Sequence, residues 1–206
     1  MRKIQDFNFG GKRILLRVDL NVPVINGKIL DETRIDKIIP TIKYLLERDA
    51  KIILLSHFGR PKGAFESKLS LEFITEVLEA KFGVKVIFCS DINQAKLKLD
   101  NLKPKEILLL ENIRFYPGET KNDIDFAKQL ASLADFYVND AFSCSHRAHA
   151  SIANIAKLLP SYAGLLLSNE IDSLSLYLKN PSKPMMAIIG GSKVSTKLGL
   201  LLNLVK

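Results

Sequence analysis

The chain has 206 residues, of which 47% are hydrophobic and 25% charged, and a formal net charge of +8. That composition supports a buried core and excludes a disordered chain, and the length suits one domain plus a piece of another. No apolar run approaches membrane-spanning length, residues 1–6 lack a secretory apolar core, and two cysteines cannot build a disulfide framework, so the expectation is a soluble, cytoplasmic protein without membrane partners.

In chain order, residues 13–18 read as a strand because apolar side chains run consecutively, as in strands covered on both faces. Asp19-Leu20-Asn21-Val22-Pro23 follows. A helical pattern spans 34–47, with Pro40 expected to kink or restart it. A strand at 51–55 leads into Ser56-His57-Phe58-Gly59-Arg60-Pro61-Lys62-Gly63. A helix at 71–82, a strand at 84–88 and a strand at 107–110 come next, the last running into Glu111-Asn112-Ile113-Arg114-Phe115. A helix at 123–133 precedes a strand at 136–138, then Asn139-Asp140-Ala141-Phe142 and Ser145-His146-Arg147-Ala148-His149-Ala150-Ser151, and a helix at 152–159. Strands alternating with helices imply right-handed crossovers and an α/β fold with a doubly wound, Rossmann-like parallel sheet.

Residues 165–178 carry leucine and isoleucine at helical spacing and stop where Pro181 and Pro184 forbid continuation. A fresh strand at 185–189 runs into Gly190-Gly191-Ser192-Lys193 and a helix to about 203. One strand and one helix cannot bury their own apolar faces. The expected organisation is an N-terminal domain at 1–164, an interdomain helix and hinge at 165–183, and at 184–206 the opening βα unit of a second α/β domain, incomplete in this chain.

Ligands in open parallel sheets sit beyond the carboxyl ends of the strands. Those positions hold Asp19, Asn21, His57, Arg60, Arg114 and Arg147, with Arg34 early in the first helix, where free N–H groups and the helix dipole also favour anions. Arginine binds carboxylate or phosphate in a bidentate manner that lysine cannot match, so a small anion with two charged ends fits. Asp19 and Asn21 suit a hydroxyl or the orientation of an arginine. An isolated loop arginine is more often a surface ion-pair partner; the clustering at strand ends favours a site. The glycine turn at 190–191 follows a strand and opens a helix, so its N–H groups suit phosphate, although the Walker A spacing is absent. Lys193 and Lys197 stand four apart on one helix face and can reach one phosphate group.

Other readings are weaker. Cys144, His146 and His149 have no second Cys/His pair to complete a zinc site, and a Cys144/His146 dyad places two loop residues too close in sequence to face each other. Only eight of the thirty basic residues are arginine and the lysines are spread over helices, which disfavours a nucleic-acid track.

Taken together, residues 17–23, 56–63, 110–115, 146–151 and 190–197 resemble, in order, the successive signatures of phosphoglycerate kinase, along the whole chain. The resemblance implies reversible phosphoryl transfer from ATP to the carboxylate of 3-phosphoglycerate, in glycolysis. It implies Asp19, Asn21, Arg34, His57, Arg60, Arg114 and Arg147 as substrate residues. Arg34, Lys193 and Lys197 would serve the transferring group, and Gly190, Gly191, Lys193 and Lys197 the ATP or ADP. Mg²⁺ would be bound with the nucleotide through ligands outside this chain. The family is usually monomeric. Its later glycine-rich nucleotide loop has no counterpart here, so the chain is expected to bind 3-phosphoglycerate without being active alone. The alternative is a non-catalytic anion-binding half-kinase.

Overall fold

The computed structural model describes residues 1–103 and 105–179, with positions 186, 188, 199 and 202 besides. In chain order the elements are β1 (Arg13–Arg17), β2 (Val24–Ile25), β3 (Lys28–Ile29), α1 (Thr33–Leu46), β4 (Lys51–Leu55), α2 (Thr75–Phe82), β5 (Lys85–Cys89) and α3 (Ile92–Leu99). There follow β6 (Glu106–Leu110), α4 (Pro117–Thr120), α5 (Ile124–Ala131), β7 (Phe136–Asn139), α6 (Ile155–Leu158), β8 (Ser161–Ala163) and α7 (Leu165–Lys179). Six strands make one sheet in the order β5-β6-β4-β1-β7-β8, every pairing parallel. The short β2–β3 pair is a separate antiparallel hairpin.

The consecutive apolar runs explain the two-sided burial. Ile14 and Leu16, Ile52 and Leu54, and Ile107 and Leu109 point to one face, against Ile35, Ile38 and Ile42 of α1 and Leu78 and Phe82 of α2. Their neighbours Leu15, Ile53, Leu55, Leu108 and Leu110 point to the other, against Ala95 and Leu99 of α3 and Phe126, Ala127 and Leu130 of α5. Alternation along each strand thus feeds two cores, which is the doubly wound α/β arrangement.

Several local features differ from the sequence reading. Pro40 does not break its helix: α1 runs as one element of 14 residues, with Pro40 exposed. Only the N–H of residue 40 is lost, and six buried side chains of α1 hold the helix to the sheet. A helix absent from that reading, α3, is capped by the Asp91 carboxylate, which accepts from the Gln94 N–H at 2.8 Å. A strand also absent from it, β8, pairs with β7. The segment expected as a helix at 152–159 begins with a π-helical turn at Ala150–Asn154 before α6.

The chain divides into two compact units, 1–170 and 171–206. Of the expected second unit, Gly199 and Leu202 are helical, whereas Met186 and Ile188 belong to no strand. Gly190, Gly191, Lys193 and Lys197 lie outside the described residues.

Candidate anion-binding site

The four central strands, β6, β4, β1 and β7, all deliver their carboxyl ends to one edge of the sheet. Chain direction away from β1 reverses there, with β4 on one side and β7 on the other, which opens a crevice for ligand. The loops beyond these strands are tied together by buried polar groups. Ser56 Oγ accepts from the Leu20 N–H and donates to the Val18 carbonyl, both at 2.9 Å. Asn112 Nδ2 donates to the carbonyls of Phe58 (2.7 Å) and Leu69 (2.9 Å). Asn21 Oδ1 accepts from the Gly59 N–H at 2.8 Å, so Asn21 braces the loop after β4. Gly59 sits at φ 60°, and a Cβ there would stand 2.6 Å from Leu69 Cδ2. Only glycine suits that turn.

The crevice is strongly cationic. Arg17, the last residue of β1, is buried, and its Nη2 donates to His57 Nδ1 at 3.0 Å. A nitrogen that accepts carries no proton, so this bond assigns the His57 proton to Nε2. Burial, followed by the charges of Arg17, Arg114 and Arg147, pushes His57 down to about 2, so it is a neutral donor at physiological pH. Arg114 Nη1 donates to the Gly59 carbonyl at 2.8 Å. Its pKa is lowered by burial and by the charges of Arg147 and Arg17. The Nε groups of Arg17 and Arg114 are buried without a hydrogen-bond partner. Buried donors without partners are rare and costly, and cations crowded against one another are costly too. Arg17 and Arg114 interact with the Glu119 carboxylate, and the exposed Arg147 adds a third guanidinium charge beside Arg114 and His57, leaving an excess of positive charge. The arrangement can bind a small anion.

Arg34 stands at a neighbouring cleft of about 190 Å³, lined among others by Asp19, Lys37, Asp140 and Ser143. Asp19 Oδ2 pairs with Arg34 Nη1 and accepts from Ser143 Oγ, while its Oδ1 accepts from the Asn21 N–H at 3.0 Å. Asp19 therefore orients the arginine. Ser143 Oγ lies 3.6 Å from Cys144 Sγ, which in turn lies 3.9 Å from His57 Nδ1, so contacts run from this cleft to the cationic cluster.

The structure thus brings together His57, Arg114 and Arg147, places Arg34 on Asp19, and gives Asn21 a bracing role. Arg60 is exposed and joins no hydrogen bond or ion pair among the described residues, whereas its backbone neighbour Gly59 is tied into the crevice. Arg17 and Glu119 were missed as individual site residues. Arg17 closes an apolar strand and reads as a boundary charge. Glu119 follows Pro117-Gly118 and reads as a surface helix residue, yet it is fully buried. Cys144 packs against His57, whereas His146 is exposed. Among the described residues no group of three His, Cys, Asp or Glu side chains is placed to hold a metal ion.

The phosphoglycerate kinase family model matches residues 4–206. The curated phosphoglycerate kinases of Ruegeria sp. (strain TM1040) and Rhodospirillum centenum are 51% and 48% identical over 206 residues, 99% of this chain and 52% of each relative. The solved phosphoglycerate kinase of Coxiella burnetii is similar at a TM-score of 0.87 and 42% identity, covering 98% of this chain and 51% of that one. That of Pyrococcus horikoshii OT3 is similar at 0.90 and 34% identity, over 100% and 52%. The chain spans about half the length of the curated relatives it matches. With the match running from residue 4 to residue 206 and identity near one half along the whole chain, this chain belongs to the phosphoglycerate kinase family.

Proposed function

We propose that this chain provides the 3-phosphoglycerate-binding half of a phosphoglycerate kinase, which moves a phosphoryl group reversibly between ATP and the substrate carboxylate. The observation that carries the reading is the crevice itself: two buried guanidinium Nε groups without partners and more guanidinium charge than the one carboxylate offsets. A phosphate monoester, with about −1.5 to −2 charge, matches that excess. Arg17, Arg114, Arg147 and the His57 Nε2–H hold the phosphate end, with Arg60 closing on it from the exposed loop. The substrate carboxylate lies toward Arg34, which Asp19 keeps in place.

The chemistry asks for no general base. A carboxylate whose ordinary pKa is near ~4 is already a nucleophile at pH 7. Catalysis then rests on alignment and on cations set against the transferring group: Arg34 from the described residues, Lys193 and Lys197 from the glycine-rich turn at 190–191. Mg²⁺ bound with ATP or ADP supplies further charge neutralisation in this family. The described residues offer it no cluster of side-chain ligands. The domain arrangement we propose is 1–164 for the substrate, a hinge helix at 165–183, and nucleotide-binding sequence from 184. A monomer in the cytoplasm, working in glycolysis, fits this reading; among the described residues no helix is long and apolar enough to cross a membrane.

Titration calorimetry of the chain with 3-phosphoglycerate tests the proposal. Binding is expected, with heat that shrinks as ionic strength rises, and with no ATP turnover in the same preparation. A chain that takes up no 3-phosphoglycerate at low salt would remove the reading. A chain that binds it but stays inactive after addition of the complementary half of a relative would favour a non-catalytic anion-binding module, which the half-length match makes a real alternative.

A further inference from the structure

Beneath the cationic crevice lies a buried acid that the proposed reaction does not use. Glu119, in the short helix α4, is fully buried. Its Oε2 accepts from the Ser151 N–H at 2.9 Å, and its Oε1 accepts from Ser151 Oγ at 2.7 Å and stands 3.5 Å from His149 Nδ1. Burial drives its carboxyl up, but the His149 contact, the Arg17 charge and the two Ser151 bonds hold it below the usual carboxylate range. A buried ionised carboxylate is costly, and well-packed apolar residues often serve stability as well or better. Its neighbours point to what the cost supports. Glu119 bears on Arg17 and on Arg114, whose Nε groups lack partners, and His149 bears electrostatically on His57. It also bridges the segment after β6, which carries Arg114, to the one after β7, which carries Arg147 and His149.

We infer that Glu119 is a positioning residue for the anion site. It holds the His149 ring with the proton on Nδ1 directed at the carboxylate, leaving Nε2 for the crevice. It also offsets part of the Arg17 and Arg114 charge, so that the guanidiniums stay close enough to share one anion. The second part rests on the function proposed above; the first does not. Carboxylates behind metal-bound histidines act by the same logic, accepting from one ring nitrogen and so fixing the orientation of the other.

The test separates the two. Nitrogen-15 ring spectra of the chain, recorded at about pH 9 where an ordinary imidazole is neutral, report which nitrogen of His149 carries the proton; the chain has only three histidines. The expected result is protonation at Nδ1, lost in Glu119→Gln. A His149 proton on Nε2 in the unsubstituted chain overturns the inference, whatever the variant does. Calorimetry with 3-phosphoglycerate supplies the second readout: Glu119→Gln is expected to weaken binding about tenfold or more, as for a lost charge-assisted hydrogen bond. In a His149→Asn background the same change should cost much less, and equal losses in both backgrounds would overturn the coupling. If the unsubstituted chain binds no 3-phosphoglycerate, the function falls, while the ring spectra still decide the Glu119–His149 pair.

Discussion

Arg114 shows how one residue joins fold and site. Its guanidinium closes the loop after β4 through the Gly59 carbonyl, yet its Nε is left buried and unpaired. Arg114→Ala is expected to weaken 3-phosphoglycerate binding by roughly 2–5 kcal/mol, the range for truncating one side of a desolvated charge pair; calorimetry reads this directly, and unchanged affinity would remove Arg114 from the site. His57 and Asp140 shape acid stability in opposite senses. His57 is depressed from 6.5 to about 2 by burial and the neighbouring arginines, so the unfolded chain takes up a proton that the folded chain refuses. Its contribution is complete above about 6.5 and is lost as pH falls, by at most about 1.4 kcal/mol per pH unit. Asp140 is raised from 3.8 to about 6, chiefly by burial, and its Oδ2 has no hydrogen-bond partner. The folded chain therefore holds the Asp140 proton more tightly, and the cost of its ionisation is relieved as pH falls from about 6 toward 3.8. Denaturant unfolding between pH 7 and pH 4 should show a flatter acid decline in His57→Gln and a steeper one in Asp140→Asn. The same slope in both variants would remove the assignment of these two groups.

Elements carry their own tests. The helix α3 hangs on the Asp91 cap and on Ile92, Ala95 and Leu99, which face the core at helical spacing. Asp91→Ala is expected to cost about 1 kcal/mol of unfolding free energy, the ordinary worth of an N-cap, and to leave 3-phosphoglycerate affinity unchanged, since the carboxylate bonds to the Gln94 N–H within α3 and not to the cationic side chains. The turn at Gly59 is different. Its N–H, its carbonyl and its positive φ each serve a neighbouring loop. Gly59→Ala, strained in φ and pressed on Leu69, should lose substrate affinity together with stability, whereas Asp91→Ala loses stability alone. Gly164 makes a comparable demand: a Cβ there would meet Asp140 Oδ1 at 2.2 Å, and Asp140 accepts from the Leu167 N–H at the start of α7.

On the scale of the whole molecule, the net charge of +8 acts as a field that attracts anions before any contact forms. A ligand that binds only the folded chain raises the thermal midpoint by mass action. The midpoint should therefore rise with 3-phosphoglycerate and rise less in Arg114→Ala, and scanning calorimetry at fixed ionic strength measures both. ATP without a complementary half is expected to produce no turnover.

Much of this molecule was written locally. Consecutive apolar residues at 14–16, 52–55 and 107–110, in short runs leading into polar loops, read as strands buried on both faces. The segments just after them could only be loops rich in arginine, histidine and glycine. Asp91 followed by apolar residues at helical spacing is likewise a legible helix signal. Other features needed the third dimension. β8 is three residues long and has no pattern of its own; its pairing with β7 makes it a strand. Strand order is likewise a matter of packing: β6 lies between β5 and β4, which carries Arg114 to the side of His57. Whether Arg17 and Glu119 were surface charges or buried partners depended on what the sheet and the loops after β6 and β7 stacked over them. A residue's chemistry is local, but its dielectric surroundings and its charged neighbours come from segments distant in the chain. For that reason the kinds of groups at the crevice followed from sequence, while which ones are forced together without enough counter-charge was decided by the fold.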